Sequence, residues 1–189
     1  MKIKFLLIVF FLSQLASAQV PSNSVLSGAK EYSKEISLYR AKAFVMSQVI
    51  DSPDLYVQFE MDPLAASSSG ELTSLWYNCR QNNKEGLILG FYNNYWNDSG
   101  VDYKGYAFKN LPKDKALDLL NKTSNAIEEY KEYLGQNEDN NVYIKFEDIT
   151  ILLYKDVQTK IRVFWKGYDA EWQLVAFRRT LKRFDKKVN

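Results

Sequence analysis

The chain has 189 residues, 46% apolar and 15% aromatic, with 25 basic and 23 acidic side chains, one cysteine and no histidine. The missing histidine excludes Ser-His and Cys-His catalytic pairs and His-ligated zinc or haem, and a lone Cys79 excludes intramolecular disulfides and Cys-rich metal sites. Any catalysis is left to carboxylates, Ser, Lys, Tyr or an oxygen-ligated metal.

Lys2 and Lys4 precede an unbroken apolar run over residues 5–12 (FLLIVFFL), and Ala16-Ser17-Ala18 stands before Gln19. A basic start, a short apolar stretch and an A-x-A close predict an export signal over 1–18, with Gln19 the mature N-terminus. The run falls far short of the roughly 20 apolar residues a membrane-spanning helix needs, so no transmembrane segment is expected. Losing Lys2 and Lys4 leaves 23 charges of each sign, a balance that gives no long-range pull on nucleic acid or anionic membrane. The expected address is periplasmic or extracellular. Residues 19–27 (QVPSNSVLS) read as a flexible linker, and 28–189 as a single domain long enough to bury a full core.

From Ala29 the spacing is helical, with Ala29, Tyr32, Ile36, Tyr39, Ala43, Met46 and Ile50 on one stripe and Val45 and Val49 off it. Residues 55–62 alternate as a strand that Pro63 is expected to end, and a small-residue loop follows to Gly70. Further strands are predicted over 72–79, 87–96 and 101–108, joined by turns at 81–86 and 97–100. Pro112 opens a helix whose apolar side is Ala116, Leu117, Leu120, Ile127, Tyr130 and Leu134, with Gly135 as its stop. Strand patterns return at 142–146, 149–154 and 161–165. Asp169 is then expected to cap a last helix with Ala170, Leu174, Phe177, Leu181, Phe184 and Val188 inward. Strands in runs, not alternating with helices, predict an α+β domain: mostly antiparallel sheet with two or three amphipathic helices on one face. Residues 55–60 (LYVQFE) and 142–147 (VYIKFE) echo each other, as a duplicated unit with a ligand groove between its halves would.

Three stretches can carry chemistry. Over residues 60–71 (EMDPLAASSSGE), Glu60, Asp62 and Glu71 flank small residues that let a ligand approach the backbone. The hydroxyls of Ser67, Ser68 and Ser69 offer adaptable hydrogen bonds. In residues 91–98 (FYNNYWND), rings such as Tyr92 and Trp96 interleave with amides, a pattern that suits sugar. The last helix presents Arg178, Arg179, Lys182, Arg183, Lys186 and Lys187 against Asp185 alone, a face for solvent, an acidic partner or an anionic membrane surface. The expected ligand-binding set is Asp62, Ser67, Ser68, Ser69, Glu71, Tyr92 and Trp96, with no metal and no cofactor. The expected function is an exported, non-enzymatic ligand- or partner-binding domain of the bacterial envelope, its partner a small molecule, a glycan or an envelope protein. The alternatives are a small glycan hydrolase built on two of Glu60, Asp62 and Glu71, or an envelope assembly protein without a pocket.

Overall fold

The computed structural model describes the backbone of residues 37–96 and 102–189, and side chains except over 93–104. The expected signal, linker and turn at 97–100 lie outside the described residues. Residues 37–40 are helical and belong to one compact unit; residues 41–189 form a second, which holds everything below.

That unit is α+β, with two antiparallel four-stranded sheets where a single sheet was expected. The first is a meander of β1 (Glu60–Ala66), β2 (Leu72–Cys79), β3 (Lys84–Trp96) and β4 (Asp102–Pro112), in that order. Helices α1 (Lys113–Glu129) and α2 (Lys131–Gln136) lead to the second meander: β5 (Asn141–Phe146), β6 (Ile149–Lys155), β7 (Thr159–Trp165) and β8 (Tyr168–Glu171). Helix α3 (Leu174–Val188) closes the chain. Four strands and then a helix thus occur twice. The sequence echo does not mark this repeat, because 142–146 fall in β5 whereas 55–59 precede β1.

Both inner sheet faces share one core. Leu72, Trp76, Leu87, Leu89 and Phe91 come from the first sheet, and Ile149, Ile151, Leu153, Ile161, Val163 and Trp165 from the second. Leu119, Leu120 and Ile127 of α1 and Phe177 and Phe184 of α3 complete it, with Leu117, Leu174 and Leu181 packed at its margin. Helices α1 and α3 run antiparallel, as Lys113 Nζ donates to Val188 O at 2.7 Å and Arg178 pairs with Glu128 at 3.4 Å. The buried Ser74 and Thr180 hydroxyls share a hydrogen bond at 2.6 Å, tying β2 to α3. Among the described residues no buried side-chain polar atom lacks a partner.

The helices do not all lie on one side. The opposite face of the first sheet buries Leu75, Tyr77, Cys79, Ile88 and Phe108, and Ala41, Val45, Val49 and Ile50 are buried with them. Lys84 Nζ donates to the Val49 and Ile50 carbonyls at 2.6 and 2.9 Å, and the Phe44 and Phe108 rings stand 5.4 Å apart. Val45–Ile50 is π-helical, and its wider turn aligns Ala41, Val45 and Val49 at intervals of four. That shift of phase buries the residues expected off the stripe and leaves Ala43 and Met46 exposed.

Other departures have local causes. Residues 55–59 form no strand: β2 ends at Cys79 opposite Lys84, so nothing remains for them to pair with. Pro63 does not stop β1, which is an edge strand where a missing N–H costs no ladder bond. Leu64 is the extra residue of a bulge between the Pro63–Leu75 and Ala65–Ser74 pairs, and it turns into the core. Asp169 caps no helix. Lys166 and Gly167, with φ of 49° and 78°, form a tight turn that makes β8 the partner of β7. Gly135 lies within α2 instead of ending a helix.

Phe177→Ala, which empties a fully buried site in the shared core, should lower unfolding free energy by about 3–5 kcal/mol in denaturant titration. An unchanged midpoint would place Phe177 outside the core.

Burial pushes the Tyr77 phenol up to about 12, against a smaller lowering by its hydrogen bond to Asn110 and with a further rise from Glu85. An unfolded tyrosine ionises near pH 10, so Tyr77 contributes stability below about pH 10 that is lost as pH rises toward 12. The unfolding midpoint of Tyr77→Phe should therefore fall less than wild type's over that interval. Parallel profiles would refute the shift.

Candidate functional site

The tight turn at Lys166-Gly167 sets the register of the second sheet's outer surface. It places Phe164 opposite Asp169 and Arg162 opposite Glu171, while β6 puts Thr150 beside Phe164 and Leu152 beside Arg162. β5 adds Lys145 next to Thr150 and Tyr143 next to Leu152. One row across the sheet thus reads Lys145, Thr150, Phe164, Asp169, and the next reads Tyr143, Leu152, Arg162, Glu171. Inward neighbours Ile161, Val163 and Trp165 are buried; Phe164 is 38% exposed and Tyr143 72%.

A depression of about 340 Å³ lies at the turn end of this surface, lined by Asp148, Thr150, Phe164, Trp165, Lys166, Gly167, Tyr168 and Asp169. Its rim is fixed by ionic contacts. Asp148 accepts from Lys109 Nζ at 2.5 Å and from Trp165 Nε1 at 2.8 Å. The Lys109 hydrogen bond, helped by Trp165 and opposed by partial burial, holds the Asp148 carboxyl below its usual value. Lys109 and Lys166 stand 5.8 and 5.0 Å from the Trp165 ring centre. Arg162 Nε donates to Asp169 Oδ2 at 2.7 Å, and its Nη2 reaches the same oxygen. Burial pulls the Arg162 guanidinium down, and the Asp169 hydrogen bond and the nearby acids, Glu71 among them, outweigh it. The Tyr168 ring lies 6.3 Å from Phe91, and its hydroxyl closes on β4 where a Cβ on Gly105 would stand 2.8 Å away.

The sequence-predicted residues fall in three places. Ser67, Ser68, Ser69 and Glu71 form the β1–β2 turn. There Ser67 is buried and bonded to Leu72 N (3.1 Å) and Ser69 Oγ (3.1 Å), and Ser69 Oγ accepts from Glu71 N (3.3 Å). This turn clasps the second half of the chain. Ser68 N donates to Gln173 Oε1 at 2.9 Å, Gln173 Nε2 donates to Ser68 Oγ, and the Glu71 carboxylate accepts from Glu171 N at 2.9 Å. Tyr92 joins the turn through its backbone, donating to Glu71 O at 2.8 Å, while its ring meets Phe108 edge-on. Asp62 is elsewhere, on β1 in an ion pair with Lys187 at 2.8 Å. Trp96 pairs with Asp102 in the β3–β4 hairpin, and its side chain lies outside the described residues. Glu60 and Glu71 stand at opposite ends of the β1–β2 hairpin, and Glu60 faces Arg80 at 3.7 Å.

Sequence reasoning missed Thr150, Phe164 and Asp169. Reading Ile161, Val163 and Trp165 as inward leaves Phe164 as an outward ring, and that was the available signal. Among the described residues, no cluster of three His, Cys, Asp or Glu side chains can hold a metal, and no helix is long and apolar enough to cross a membrane. No family model matches the chain, and neither a curated protein nor a solved structure gives a significant match.

Asp148, with its depressed pKa, contributes stability above the ordinary carboxylate range that is lost as pH falls through its lowered value. Half exposed, its contacts are screened, so Asp148→Asn should cost at most about 1 kcal/mol at neutral pH. That difference from wild type should vanish in acid thermal scans. A difference independent of pH would mean that the carboxylate charge plays no part.

Proposed function

We propose that this is an exported, non-enzymatic binding domain of the bacterial envelope that holds a small polar ligand with an apolar face, a glycan foremost, in the depression around Phe164. One observation carries the reading: an outward aromatic ring flanked in register by the Thr150 hydroxyl and the Asp169 carboxylate, above a depression of about 340 Å³. An exposed phenyl face takes the C–H side of a sugar ring, and hydroxyl and carboxylate at its edges orient the sugar's hydroxyls. The volume is near the lower end of small-ligand sites, which run from about 300 to 1,000 Å³, so one or two sugar rings suit it.

Export rests on the basic, apolar and small-residue pattern over 1–18. The lack of histidine and the separation of Glu60 from Glu71 favour binding over hydrolysis. A protein partner is the second reading, favoured by the exposed Tyr143 and its neighbour Leu152 on the same surface.

A thermal-shift screen of neutral sugars and soluble cell-wall fragments should give a ligand that raises the unfolding midpoint. Phe164→Ala should weaken that ligand about tenfold, since a stacked ring contributes about 0.5–1.5 kcal/mol beyond its buried area. No ligand in the screen, or equal affinity in the variant, would defeat the reading.

A further inference from the structure

We infer that the outer face of α3 is a docking stripe for anionic lipid, with the phosphates of phospholipid headgroups as its occupants. Six basic side chains of this helix are exposed, against Asp185 alone. Three have work inside the fold: Arg178 pairs with Glu128, Arg183 donates to the Leu64 carbonyl at 2.6 Å, and Lys187 pairs with Asp62 and covers the Trp76 ring. Arg179, Lys182 and Lys186 have no acidic partner among the described residues. Their spacing of three and four sets them in one line along the helix, and exposed Val175 continues that line at its N-terminal end, for a length of about 16 Å.

Folding alone does not account for this line. Cations in the last turn complement the helix dipole, which explains Lys186 and Lys187 but not Arg179 or Lys182 farther back. Like charges three and four apart repel, so the row costs helix stability unless an anion answers it. Long, flexible, exposed cations in a row along one helix suit laterally mobile phosphates better than one fixed acidic segment. An apolar Val175 at the end of the row can enter the headgroup boundary. The inference is independent of the ligand site at Phe164, which α3 does not line.

The test is co-sedimentation of the protein with vesicles of phosphatidylglycerol, with phosphatidylcholine vesicles as the neutral arm. Binding should occur to phosphatidylglycerol only and be released by high salt. A basic side chain near an anionic surface contributes about fivefold in affinity, so replacing Arg179, Lys182 and Lys186 together with Gln should weaken binding about 100-fold. Asp185→Asn, which removes the opposing charge and keeps every cation, should strengthen it about fivefold; this arm decides the matter if the triple variant folds poorly. No binding to phosphatidylglycerol, or binding that neither variant alters, overturns the inference. Release by inorganic phosphate beyond that by chloride at equal ionic strength would replace the lipid with a free anion. Binding of polyglutamate without phosphatidylglycerol would replace it with an acidic protein.

Discussion

The Phe91 ring of β3 meets the Trp165 ring of β7 at 5.4 Å, and around this contact two sheets that share no hydrogen-bonded strand become one body. A four-stranded meander by itself would leave a whole apolar face in water. Here each inner face is the lid of the other, with α1 and α3 filling what remains. The polar ties across the seam are few: the Ser68–Gln173 pair, the Glu71 carboxylate on Glu171 N, and Lys109 on Asp148. They orient the seam, and apolar burial supplies its strength.

The same constraint explains the different outer faces of the two sheets. The first buries Tyr77, Cys79 and Ile88 on its second face together with the π-helical segment, so the lone thiol is enclosed. α1 and α2, which precede the second sheet in the chain, are drawn inward by Leu119, Leu120, Ile127 and Leu134. Among the described residues no helix covers the surface that carries Tyr143, Leu152 and Phe164. Its ion pairs, Arg162–Asp169 and Lys160–Glu171, run across neighbouring strands and keep an open sheet face hydrated and in register.

Local pattern made much of this legible. The antiparallel α+β class follows from runs of alternating strands, and Leu120, Ile127, Phe177 and Phe184 were readable as core from helical period alone. Long-range choices were not. Alternation tells which residues face inward but not how many sheets share them, so two meanders read as one. A strand of four residues, β8, gives too little alternation to outweigh an acidic residue before an apolar helix, although Lys166-Gly167 was a turn signal of two residues. The small-residue turn was visible as a place of close approach. That its partners are Glu171 and Gln173, a hundred or more positions away, was not, since no local rule connects them.

Carboxylate placement bears on what such a surface can do. A general acid or base needs a proton that is held loosely and a geometry in which two groups reach one substrate bond. Here Asp62 is pinned to Lys187, Asp148 to Lys109 and Trp165, Asp169 to Arg162, and Glu171 to Lys160. For Asp148 the Lys109 hydrogen bond holds the carboxyl below its usual value, so it carries no proton to give at neutral pH. These groups are suited to hold side chains at fixed angles around an exposed ring and to accept hydrogen bonds from hydroxyls at its edge. The proposed binding reading thus draws on the same ion pairs that keep the open face of the second sheet in order.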